Sequence, residues 1–180
     1  MQYRVIKSDR KTVALQVKAG EVIVRAPRAM TREEISAFVE KHREWINKKL
    51  AVFSKTPSGP TITDEGIHLL TERARAIIPP RVKYYASLVG VHYNRVTIRH
   101  QKTQWGSCSG KKNLNFNCLL LLTPTEVMDS VIVHELCHLK HMNHSKEFYN
   151  EVLRVCPNYK QYDRWLKQNG GDLIRRMPPK

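Results

Sequence analysis

The segment VIVHELCHLKHMNHSKEFY, residues 131–149, constrains this chain more than any other. His134, His138, His141 and His144 put four of the eight histidines of the chain within eleven positions. On an α-helix, residues four apart share one face, so His134 and His138 lie about one turn from each other. Two such imidazoles can reach one metal ion at roughly 2.0–2.1 Å per nitrogen. Glu135 follows the first histidine, beside the position such a metal leaves open. Its carboxylate can accept a proton from an attacking water and return it to the leaving group. HExxH on a helix therefore predicts a metal-dependent hydrolase with Glu135 as general base.

The third ligand is harder to place. His141 continues the helical face, but it lies seven residues from His134, about 10.5 Å along the axis at 1.5 Å per residue. A single ion between them would be strained, and a solvated histidine near a helix C-terminus is the simpler reading of His141. His144 follows Asn143, a residue type that tolerates the left-handed conformation ending many helices. A turn at Asn143 would bring His144 back over the first pair, with Ser145 starting the next helix. His134, His138 and His144 are thus the expected ligands. The interval matches the metzincin pattern HExxHxxGxxH, but the glycine of that pattern is His141 here.

The rest of the chain frames this motif. Its 180 residues suffice for one ordinary domain with a small extra subdomain, and 41% hydrophobic with 26% charged residues reads as soluble and globular. No apolar run approaches the ~18 residues of a membrane span. The opening MQYRVIKSDRK has no apolar core of a secretory signal, so a cytoplasmic location is expected. Cys108, Cys118, Cys137 and Cys156 form no CxxC pair, which excludes a zinc ribbon. Cys137 reads as a small buried side chain. The net charge is +15, and no Asp or Glu occurs between Arg73 and Thr125. Such a one-signed stretch attracts anions, so nucleic acid or an anionic small molecule is a possible partner.

Apolar–polar alternation predicts strands at Tyr3–Lys7, Thr12–Val17 and Glu21–Ala26, with turns at Asp9–Lys11 and Lys18–Gly20. Thr31 and Glu34 read as a capping box that opens one helix carrying Ile35, Phe38, Val39, Trp45, Ile46 and Leu50, with Trp45 in the core. Ser54–Pro60 is linker-like. A helix from Asp64 to about Ile78 should kink or break at Pro79–Pro80 and resume over Arg81–Leu88. Strands are expected at Arg95–Arg99 and Asn113–Cys118, forming a hairpin around a loop. The HExxH helix starts near Pro124, another starts near Ser145, and a last one covers Lys160–Gln168 until Gly170–Gly171 ends it, leaving a loose tail.

Three segments carry a resemblance to a known family: VIVHELCHLKHMNHSKEFY, the upstream QWGSCSGKKNLNFN at 104–117, and SDRKTVALQVKAGEVIVRAP followed by FVEKHREWI. The chain resembles the YgjP-like metallopeptidase domain family, related to the WLM and SprT-type zincins. The resemblance implies an α+β zincin-like fold: an HExxH helix, an adjacent β-hairpin and C-terminal helices over 61–180, plus a three-stranded β-rich subdomain with a helix over 1–56. It implies zinc, with nickel, cobalt or manganese able to replace it, held by His134, His138 and His144, with Glu135 as base. A peptide or protein is the substrate it implies; a nucleoside triphosphate-like anion and a nucleic-acid-associated SprT-type protease are the alternatives.

Other residues enter as candidates. Asn113–Cys118 is the candidate edge strand for an extended substrate, and Trp105, Asn115 and Tyr159 are candidate substrate contacts. Tyr159, Tyr162 and Arg99 could stabilise a tetrahedral intermediate. Asp129 could orient a ligand imidazole or simply face solvent. Phe148 should pack under the ligand helix.

Overall fold

Alternation does make strands of the first three segments: β1 (Arg4–Ser8), β2 (Ala14–Lys18) and β3 (Glu21–Pro27). The computed structural model describes residues 1–18, 20–54, 57 and 59–178. It divides into two units, Met1–Thr56 and Pro57–Lys180. Among the described residues, no helix is long and apolar enough to cross a membrane.

In the first unit the sheet order is β1-β3-β2. β2 and β3 form the expected hairpin, with Gly20 at φ 79°. β1, however, runs parallel to β3, so Asp9–Lys11 is no hairpin turn. β3 is central, and its Val22, Val24 and Ala26 join Ile35, Val39 and Ile46 in a small core. The capping box forms: Thr31 Oγ1 accepts from the Glu34 amide at 3.2 Å, and Glu34 Oε2 accepts from the Thr31 amide at 2.7 Å. The single helix expected here is two, α1 (Arg32–Lys41) and α2 (Arg43–Ser54). His42 leaves helical geometry at φ −107°, ψ 14°, and its Nδ1 bonds to the Phe38 carbonyl at 2.7 Å. Trp45 is exposed, contrary to expectation, with Lys49 Nζ 5.8 Å from its ring centroid. The linker-like Ser54–Pro60 falls partly outside the described residues.

The second unit opens with α3 (Asp64–Val89), capped by Thr63 and closed by Gly90 at φ 73°. It runs unbroken through Pro79 and Pro80, where a kink or break was expected. Each proline frees the carbonyl four residues back, at Arg75 and Ala76. Both residues are exposed, so water can satisfy them. On the opposite face, Ala74, Ile78, Val82 and Ala86 are buried at helical spacing and hold the helix together.

The second sheet has the order β4-β6-β5, from β4 (Arg95–Arg99), β5 (Gly106–Cys108) and β6 (Asn113–Asn117). The expected loop contains a strand, β5. The hairpin is β5–β6; β4 and β6 pair in parallel. β6 is therefore central and not the edge strand it was expected to be. A short 3-10 helix, Cys118–Leu122, leads into α4 (Thr125–Cys137), followed by α5 (Lys146–Val155) and α6 (Tyr159–Arg175). α6 passes straight through Gly170–Gly171. Gly170 is required for a close approach, since a Cβ there would sit 2.9 Å from the Trp105 indole. The tail is anchored: Arg176 donates to the Pro60 carbonyl at 3.0 Å, and Met177 is buried.

Asp129 on α4 neither faces solvent nor reaches a histidine. It accepts two hydrogen bonds from Arg81 of α3, both at 2.6 Å, and one from Tyr85 Oη at 2.9 Å. This fixes α4 against α3. Asp129→Ala should lower the unfolding free energy by roughly 2 kcal/mol, less than for a fully buried pair because Arg81 keeps partial contact with water. The urea midpoint checks this; an unchanged midpoint would remove Asp129 as the tie.

Candidate metal centre

α4 is buried along nearly its whole length and then ends abruptly. Its last helical residue is Cys137, and His138 is the C-cap. The Leu139, Lys140 and His141 amides make tight turn bonds back to Leu136 and Cys137. His141 therefore leaves the helical face it was expected to continue. Its carbonyl, not its ring, serves the site, accepting from His138 Nδ1 at 3.0 Å. Asn143 does not adopt the left-handed conformation: among the described non-glycine residues only Lys112 has positive φ. The reversal is spread over residues 138–143 instead. Ser145 then caps α5, its Oγ accepting from the Phe148 amide at 3.3 Å.

The result brings His134, His138 and His144 together, with one ligand atom of each within 4.8 Å of the others. His134 Nε2 lies 3.2 Å from His138 Nε2 and 3.1 Å from His144 Nε2. A tetrahedral zinc site with bonds near 2.0–2.1 Å has ligand–ligand edges of about 3.3–3.4 Å. Phe148, fully buried, lies under all three rings at centroid distances of 4.6–5.0 Å.

The tautomers follow from the outer partners. A carbonyl can only accept, so His138 Nδ1 carries the proton and its Nε2 lone pair faces inward. His134 Nδ1 lies 2.8 Å from Tyr159 Oη. For its Nε2 to offer a lone pair as well, Nδ1 must donate to that hydroxyl oxygen. Burial, then His138 and His144, pulls the His134 pKa down to about 4, and burial lowers that of His138. Both rings are neutral near pH 7, the form that binds metal. Converging lone pairs repel unless a cation lies between them, so the donor set fits a divalent ion.

Glu135 faces a separate wall of the site. It is buried and makes no hydrogen bond among the described residues. Burial pushes its pKa up to about 8, a shift that a cation in the triad would oppose. A Cβ on Gly106 would lie 2.7 Å from Glu135 Cγ and 2.8 Å from Oε1. Only glycine lets edge strand β5 come this close. Beside them is a cavity of about 180 Å³, lined by His134, Glu135, Trp105, Gly106, Tyr159 and Asp163 among others.

Of the candidate substrate contacts, Trp105 and Tyr159 line this cavity. Asn115 does not. It sits opposite Ser107, and its Nδ2 donates to Ser107 Oγ at 3.1 Å. Alternation places this pair on the sheet face away from Gly106 and Glu135. Arg99 and Tyr162 lie in other cavities. Cys137 is fully buried, and burial pushes its thiol pKa up to about 12, so it is inert. Asp163 was missed. It lies four residues after Tyr159, a helical spacing that could have revealed it.

Comparison with known proteins bears on the same residues. The family described as YgjP-like, metallopeptidase domain matches residues 11–68 and 60–169, which include the triad and Glu135. Among solved structures, the metallopeptidase zymogen of Pyrococcus abyssi abylysin is similar at 26% identity and a TM-score of 0.47, over 51% of this chain and 94% of that one. The metallopeptidase zymogen of Methanocaldococcus jannaschii jannalysin is similar at 23% identity and a TM-score of 0.46, over the same 51% and 94%. No curated protein matches. The chain belongs to the family of YgjP-like metallopeptidase domains.

Proposed function

We propose that this chain is a zinc metallopeptidase in which His134, His138 and His144 hold the metal and Glu135 is the general base. The observation that carries the reading is the convergence of three imidazole Nε2 atoms beside a buried, unpartnered carboxylate. A divalent ion held there would polarise the substrate carbonyl and acidify the attacking water. The Glu135 carboxylate accepts the proton of that water and delivers it to the leaving amine. Tyr159 holds the His134 ring in the productive tautomer, and the His141 carbonyl does the same for His138. Trp105 and Tyr159 shield the reacting bond from bulk water. The substrate backbone pairs with β5, the strand that brings Gly106 against Glu135, and not with β6.

A phosphate-bearing substrate suits the site less well. The cavity is lined by two carboxylates, Glu135 and Asp163, and by no Lys or Arg. Within the acid-free stretch, Arg81 is engaged by Asp129.

Glu135→Gln should leave zinc content unchanged by elemental analysis and lower kcat on peptides by about 10²–10⁴; undiminished turnover would sink the mechanism. Gly106→Ala forces the Glu135 side chain away without touching a ligand. Zinc content should hold while kcat falls at least about tenfold, as peptide turnover by the purified variant will show. Tyr159→Phe removes the acceptor for His134 Nδ1 and should weaken zinc affinity about 10–100-fold in a chelator competition.

A further inference from the structure

One face of α6 carries Tyr159, Asp163, Leu166 and Gly170, at the spacing of a helical stripe. The first three line the cavity beside the triad, and Gly170 seats the indole of Trp105, which lines it too. At about 180 Å³ the cavity is smaller than the roughly 300–1,000 Å³ of small-molecule sites. It has room for one long side chain. Because His134 and Glu135 form part of its wall, that side chain belongs to a residue next to the hydrolysed bond.

The chemistry of the walls is specific. Val131 and Leu166 are apolar, Trp105 and Tyr159 offer ring faces, and Asp163 offers a carboxylate. Asp163 Oδ2 accepts from Lys167 Nζ at 2.5 Å, while Oδ1 has no hydrogen-bond partner among the described residues. The Lys167 side chain is 74% exposed and can swing into water. An apolar channel with aromatic faces and a carboxylate matches an amphipathic cation, whose stem packs on apolar groups while its head meets charge and π density. The indole held against Gly170 pre-forms one wall, which lowers the ordering cost of binding.

We propose that this cavity selects a lysine or arginine side chain flanking the scissile bond, with Asp163 as the residue that recognises the cation. The proposal rests on the peptidase reading above, and its test separates the two. The zinc-loaded full chain is given an N-acetylated peptide library, and cleavage sites are read by mass spectrometry. Sites next to Lys or Arg should exceed those next to Leu by about tenfold or more. Asp163→Asn should lower cleavage next to Lys or Arg far more than cleavage next to Leu, and Lys167→Ala should strengthen the basic preference. Binding of a fluorescent Lys-containing peptide and its Leu counterpart to the Glu135→Gln chain, read by anisotropy, should show the same preference without turnover.

Cleavage without basic preference would overturn the assignment. So would equal loss of basic and apolar substrates in Asp163→Asn, or a requirement for a free α-amino group. Selective binding with no cleavage of any peptide would overturn the peptidase reading and uphold the pocket. Neither binding selectivity nor cleavage would overturn both.

Discussion

The site depends on the burial of α4. From Val127 to Cys137 nearly every residue is shielded from water, so each polar group on this helix needs a partner or becomes an energetic liability. Most have one. Asp129 is held by Arg81 and Tyr85, Ser130 Oγ donates to the Val127 carbonyl at 2.7 Å, and His134 Nδ1 meets Tyr159. The Glu135 carboxylate has no hydrogen-bond partner among the described residues, and together with His134 it lines the cavity. The buried helix thus partners its other polar side chains and turns these toward an open space that a divalent ion and a substrate would fit.

The end of α4 matters as much as its middle. A helix continuing past His138 would carry His141 onward along the same face and take His144 out of reach. Ending it at Cys137 instead turns the chain so that the His141 carbonyl meets His138 and α5 can start at Ser145. Phe148, one turn into α5, then fills the space beneath three rings that would otherwise border a void. The convergence of the three imidazoles is set by this packing, with no left-handed residue in the turn.

Features decided within a few residues were legible in the sequence. The Thr31–Glu34 capping box, β4 at Arg95–Arg99, the β2–β3 turn at Gly20 and the pairing of His134 with His138 on one face all rest on local spacing. Features decided across the chain were not. The parallel pairing of β1 with β3 and of β4 with β6 depends on strand order, which alternation does not encode. β5 has only three residues, one of them glycine, too few to alternate visibly. Pro79–Pro80 and Gly170–Gly171 look like breaks locally, but burial of the opposite face of α3 and the Trp105–Gly170 contact override them. Asn143 was credited with a turn that is shared among six residues. Gly106 belongs with these, because the group it approaches, Glu135, stands on a different element, α4.

Charge separates the scale of the molecule from that of the site. The chain carries +15 overall, yet the cavity beside the triad is lined by Glu135 and Asp163. At physiological salt a field from exposed charges fades over about 8 Å, so the distributed lysines and arginines cannot dictate what binds inside a half-buried cleft. Within the cleft, the acidic side chains are Glu135, whose pKa burial raises to about 8, and Asp163. Glu135 is packed against Gly106, which leaves its side chain little freedom. Asp163 stands on the opposite helix with one oxygen turned to an exposed lysine and the other free. Charge is thus distributed oppositely on the two scales, basic over the chain and acidic at the cavity beside the triad.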